Sequence, residues 1–138
     1  MGEVLHISGH VRLSATEVVD EVWVVDGRLT FTRPAAEAQT IEGWALPGLV
    51  DAHCHIGIGE AGAIDAIDAE HSEQQAVIER AAGTLLIRDA GSPADTRWID
   101  DRDDLPQIIR AGQHLSRPRR YVRGIAEEIE PDLLAGRM

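Results

Sequence analysis

The sequence predicts an α/β chain, with a small β module over residues 1–46 and a parallel sheet alternating with helices over residues 47–138. Three observations carry this. Runs rich in β-branched residues crowd the first part of the chain. Two apolar strand-like segments, 49–56 and 84–89, flank a stretch of helical composition at 69–82. Strands that alternate with helices pair in parallel and build α/β architectures.

The elements follow in order. Residues 4–13 and 21–25 read as strands, and Asp26-Gly27 joins the second to 28–32. An Asp-Gly pair between two extended runs predicts a hairpin, because a type I′ turn needs positive φ at both central residues. Pro34 ends that run, and residues 40–46 give a further short strand. Pro47-Gly48 is a break before the buried strand 49–56. The stretch Gly57 to Ala63 is Gly- and Ala-rich and too permissive for regular structure. Helical composition over 69–82 places Ala76, Val77 and Ala81 at helical spacing, with Gly83 as the stop. A second buried strand runs over 84–89, and a short helix is expected over 94–100. Residues 107–111 fit a strand or a helix end, and Pro106 favours a strand start. Residues 113–123 read as basic and irregular, and Glu130-Pro131 opens a last helical turn.

Composition narrows the function classes. Hydrophobic residues make up 43% of the chain and charged residues 27%, which suits a packed globular core. A net charge of −11 argues against nonspecific binding to nucleic acid or to an anionic membrane surface. No apolar window approaches the ~18 residues of a membrane span, and the N-terminus does not resemble a signal peptide. A single cysteine, Cys54, allows no intrachain disulfide and fits a reducing compartment. The chain is therefore expected to be cytoplasmic. Its thirteen basic residues are all Arg.

The chemistry sits in His53-Cys54-His55. On a strand, residues i and i+2 share a face at roughly 6–7 Å, so two imidazoles can converge on one cation. Cys54 points the other way, as packing. One His-x-His among six histidines is a weak signal alone. Its position strengthens it: the pair ends an apolar strand and a Gly-rich loop follows, and in parallel α/β barrels reacting groups lie at the C-terminal ends of strands. Asp51, two residues earlier, is expected to share the histidine face, either as a support for a ligand or as a structural group.

The run Leu46-Pro47-Gly48-Leu49-Val50-Asp51-Ala52-His53-Cys54-His55 resembles the signature of the amidohydrolase superfamily. There a Pro-Gly-apolar-apolar-Asp-x-His-x-His segment forms the first strand of a distorted (β/α)8 barrel, preceded by a small β module. Gly83-Thr84-Leu85-Leu86-Ile87-Arg88-Asp89 is similar to the family's second strand, and Leu105 to Gly112 to its third. The resemblance covers nearly the whole chain. It implies an N-terminal portion of a metal-dependent hydrolase: the β module at 1–46, then the first three βα units at 47–138. It implies His53 and His55 as ligands of one or two divalent cations, usually zinc, that activate water to cleave an amide or cyclic amide C–N bond in a small molecule.

The family completes its site further along the barrel, with a Lys or Glu bridging two metals, two more His and an Asp. This chain has no Lys, and residues 47–138 fall well short of the ~250 residues of a closed barrel. It is expected to be a fragment, a truncated product or one half of a split enzyme, with its proton-handling residues elsewhere and no activity alone. The rest of the barrel would come from another chain or a homo-oligomer. A second reading is a non-catalytic remnant or interaction subunit. A third, a cupin-like metal protein, predicts an all-β chain and conflicts with the helix at 69–82.

Other residues have blander readings. His6, His10 and His71 are expected at the surface or in packing, and Asp89 as a loop-orienting group. His114 follows the third strand and would face the site in a complete barrel, but packing is the simpler role. Glu60, Asp65, Asp68 and Glu70 read as a solvated acidic face. Arg117, Arg119, Arg120 and Arg123 form a local basic patch, for which pairing within the chain is simplest.

Overall fold

The computed structural model describes residues 4–59, 68–122 and 125–137. Its backbone contacts divide it into two compact units, Met1–Pro47 and Gly48–Met138. Among the described residues no helix is long and apolar enough to cross a membrane.

The first unit is a four-stranded sheet of order β3-β2-β1-β4, with β1 at Val4–Arg12, β2 at Val18–Val25, β3 at Arg28–Thr30 and β4 at Gln39–Ala45. The Asp26-Gly27 hairpin forms between β2 and β3, with φ of 50° and 74° at the two turn residues. That is the positive-φ pair the sequence predicts. Strand β4 runs parallel to β1 and lies at the sheet edge. His6 stacks on Trp23 at 4.9 Å between ring centres, and its ring nitrogens meet Thr40 Oγ1 and Glu21 Oε2. His10 lies against Trp44. Both histidines are packing groups of this module.

The second unit holds a three-stranded parallel sheet of order β5-β6-β7, with β5 at Leu49–Cys54, β6 at Thr84–Asp89 and β7 at Gln107–Arg110. Helix α1, Ala69–Ala81, connects β5 to β6. Asp68 caps its start by accepting the His71 backbone N–H, and Gly83 follows its end at φ 95°. Of Ala76, Val77 and Ala81, only Ala76 is buried; the other buried helix residue is Ser72, one turn earlier. Small residues at this spacing let the helix approach the sheet closely. The core they meet is Ile56, Ala76, Ile87, Ile99 and Leu105, with Cys54, Trp98 and Ile108 against it. Residues 60–67, including Glu60 and Asp65 of the expected acidic face, and Arg123 of the basic patch lie outside the described residues.

Two expectations need correction. The helix expected at 94–100 is a 3-10 turn over Arg97–Asp101. The segment 113–123 is not wholly irregular: His114–Ser116 is a strand, β8, paired in parallel with β9 at Ala126–Glu128. Both have three residues, too few for periodicity to register. The expected closing helical turn is present, as a 3-10 turn over Pro131–Gly136 with Pro131 at its start.

The parallel sheet is open, with Val50, Leu85 and Ile109 at 59%, 42% and 58% exposure. A closed α/β fold would bury such residues on both faces.

The Asp68–His71 pair at the head of α1 sets a pH dependence. Asp68 is held below its ordinary value of 3.8, first by the His71 backbone N–H and then by its ring. His71 is held above 6.5 by the hydrogen bond to Asp68. The depressed carboxyl contributes stability above 3.8 and loses it as pH falls through its folded value. The raised imidazole contributes below 6.5 and loses it as pH rises through its folded value. Both contributions coexist between 3.8 and 6.5. The first turn of α1 is expected to fray least there, by a small margin because the pair is solvent-screened. Amide exchange at His71 and Ser72 across that range checks it.

Candidate metal centre

The first parallel strand is not regular to its end. Asp51 pairs with Ile87 and Cys54 with Asp89, so three steps along β5 match two along β6. That is a β-bulge, a device that re-aims side chains beside functional sites. Asp51 Oδ1 accepts the His53 backbone N–H at 2.9 Å across the bulge. Because of the bulge, Asp51 does not share the histidine face. It stands with Cys54 and Glu79 of α1, their ligating atoms within 4.8 Å of one another. Strict alternation along the strand predicted otherwise, and the extra residue breaks it. The Cys54 thiol is pushed up to about 11, mainly by burial and then by Glu79 and Asp51. It stays protonated at neutral pH, as a packing group.

The His53 and His55 rings lie edge to face with centres 5.4 Å apart. His53 is exposed and His55 half-buried. The His55 Nδ1–H donates to the Gly91 carbonyl at 2.8 Å. A carbonyl only accepts, so Nδ1 carries the proton and Nε2 keeps its lone pair. Fixing one ring nitrogen on a carbonyl is how a ligating imidazole is commonly oriented. Asp89, buried at 1% exposure, has a carboxylate oxygen 3.8 Å from the same Nδ1. It also accepts the Gly91 N–H at 2.8 Å. The expected loop-orienting role for Asp89 thus has a visible partner.

Sequence reasoning left one contributor out and gave a second the simpler role of packing. Gln75 of α1 reaches the loop after His55: its side-chain oxygen accepts the Gly57 N–H at 2.8 Å and its amide donates to the Ile58 carbonyl at 2.7 Å. A lone Gln on a helix gives no sequence signal for this. The second is His114, whose ring centre lies 6.2 Å from that of His55 and 4.9 Å from that of Tyr121. Its Nε2 is buried without a hydrogen-bond partner among the described residues.

Two imidazoles at the end of a parallel strand, one held with a free Nε2, fit part of a divalent metal's donor set. Catalytic zinc sites use three protein ligands and water.

Comparison with known proteins agrees with this architecture. No protein-family model matches the chain. An uncharacterized protein of Mycobacterium tuberculosis and one of Mycobacterium bovis are each 50% identical over 130 residues, covering 93% of this chain. The chain spans about a third of their length (34%). Among solved structures, an amidohydrolase matches at TM-score 0.65 and 15% identity, over 92% of this chain and 41% of its own. A Bifidobacterium longum protein assigned as a prolidase matches at 0.69 and 18%, over 94% and 35%. A molinate hydrolase matches at 0.60 and 19%, over 99% and 37%. The chain thus shares its fold with part of each of these hydrolase structures.

Proposed function

We propose that the chain is the N-terminal part of a metal-dependent amidohydrolase acting on an amide or cyclic amide C–N bond in a small molecule. His53 and His55 are its contribution to the metal centre. The observation that supports this most is the imidazole pair at the end of β5, with the His55 Nδ1–H held on Gly91 and its Nε2 left free. His53 and His55 would hold a divalent ion, zinc in the first instance, which when bound would supply an activated water and polarise the carbonyl under attack.

The chain's own residues do the positioning. The bulge at β5 re-aims the strand end, and Asp51 holds the His53 backbone, supporting a ligand from the opposite face. Gln75 pins the loop that follows. The remaining ligands and the proton-handling group belong to later strands, supplied by a longer chain or a partner. The small β module at 1–46 and the first three βα units at 47–138 are the proposed domain division, in a cytoplasmic protein.

The experiment is a Zn²⁺ titration of the purified chain, followed by its histidine ring resonances. His53 and His55 are expected to shift together while His10 stays. His53→Ala and His55→Ala should each abolish the response at the remaining partner. A titration that leaves both resonances unmoved sinks the metal reading.

A further inference from the structure

Gly91 touches the ends of all three parallel strands. Through its carbonyl it accepts the Nδ1–H of His55, just past β5. Through its N–H it meets the carboxylate of Asp89, the last residue of β6. Beyond β7, it lies against Gly112 and His114: a Cβ at position 91 would fall 2.7 Å from His114 Cδ2, 3.0 Å from its Nε2 and 3.0 Å from the Gly112 carbonyl oxygen. The neighbouring backbone leaves little slack. Ala90 N–H donates to the Cys54 carbonyl and Ala111 N–H to the Asp89 carbonyl, both at 2.9 Å. Gly91 also sits at φ 121°, which side-chain-bearing residues rarely adopt. Only glycine combines this conformation with this closeness.

The two imidazoles it touches are special in complementary ways. His55 has one nitrogen committed and one free. His114 has a buried Nε2 with no partner among the described residues, 3.0 Å from where a Cβ would stand. Buried polar atoms without partners are uncommon and call for an explanation. The ring is wedged between Gly91 and Tyr121, which holds it 6.2 Å from the His55 ring, centre to centre.

We propose that Gly91 is the positioning residue of the metal centre: its carbonyl holds His55 in the Nδ1–H form, and its missing Cβ admits His114 as the third imidazole beside the pair. This rests on the metal reading of His53 and His55. It adds that a single backbone unit sets both the presented atom of one ligand and the seat of a histidine on another strand.

The test is run first on the metal-free chain, so it does not depend on metal binding. Long-range proton–nitrogen spectra at about pH 8, above the ordinary histidine value of about 6.5, report which ring nitrogen carries the proton. In the wild type, His55, assigned by its loss in His55→Gln, is expected to show a protonated Nδ1 and a bare Nε2. In Gly91→Ala that pattern should give way to the Nε2–H form, and the His114 resonances should shift. Zn²⁺ should then bind about 10–100-fold more weakly, the usual effect of removing a group that orients a ligand. A wild-type His55 with Nε2–H, or a Gly91→Ala chain that keeps both the His55 pattern and the affinity, overturns the proposal. Should Gly91→Ala fail to fold, the Gly91 carbonyl carbon resonance decides in the wild-type background. It must move on His55→Gln, and an unmoved resonance overturns the proposal. A chain that shows the His55 pattern and its loss in Gly91→Ala but binds no zinc refutes the metal reading and leaves the positioning intact. The reverse result refutes the positioning alone.

Discussion

Purified as the 138-residue chain and supplied with Zn²⁺, this protein is expected to hydrolyse dipeptides, N-acyl amino acids and cyclic amides no faster than the buffer blank. The deficit should be very large, because a complete enzyme of this kind would supply at least about a 10⁶-fold acceleration. His53, His55 and His114 supply at most the protein ligands of one metal, and the proposed proton-handling group belongs to later strands. The chain contains no Lys to bridge a metal pair. The sheet face is open, with Val50 and Ile109 more than half exposed. Without an enclosing wall, water keeps the local dielectric high and weakens every charge interaction a transition state would use. Activity is expected to return only when later strands are restored, for instance by co-expression with the remaining two thirds of the Mycobacterium tuberculosis relative. Metal-dependent turnover by the chain alone, lost in His55→Ala, would show that the later strands are not required.

Much of the fold was legible because its signals are local. Asp26-Gly27 dictates a turn whatever surrounds it, and the apolar runs of β5 and β6 bracket a helix with a terminating Gly. The His53-Cys54-His55 spacing likewise survives translation into three dimensions, with the two rings 5.4 Å apart. What escaped depends on pairings that no window contains. The bulge opposite Ile87–Asp89 turns Asp51 away from the histidines, and it exists only because β6 is shorter by one step there. Strands β8 and β9 define each other, and neither His114–Ser116 nor Ala126–Glu128 is long enough to announce itself. His114, past the third strand, keeps packing as its simpler role until Gly91 is seen to leave it room beside His55. Position along the chain cannot reveal that a glycine just past β6 and a histidine of β8 lie against each other.

The second large effect is on stability, and it tests whether this open unit has a core of its own. Ile87→Ala is expected to destabilise the second unit by about 2–5 kcal/mol, the range for truncating a fully buried aliphatic side chain. Ile87 is completely buried on the central strand, and the same core holds Ile56, Ala76, Ile99 and Leu105. The loss combines apolar area returned to water with a cavity the neighbours cannot fill. Helix α1 meets the core through Ser72 and Ala76, too short to reach inward, and Ile99 and Leu105 sit on segments tied to the Arg97–Asp101 turn. By contrast, Ile109→Ala, on the adjacent strand but 58% exposed, is expected to cost well under half as much. Urea titrations of both variants, read at a resonance of the second unit, make the comparison. If the two substitutions cost the same, the helix-side core is not what holds this sheet together. The open face would then have to be covered in solution, by a second copy of the chain or by the strands of a longer one.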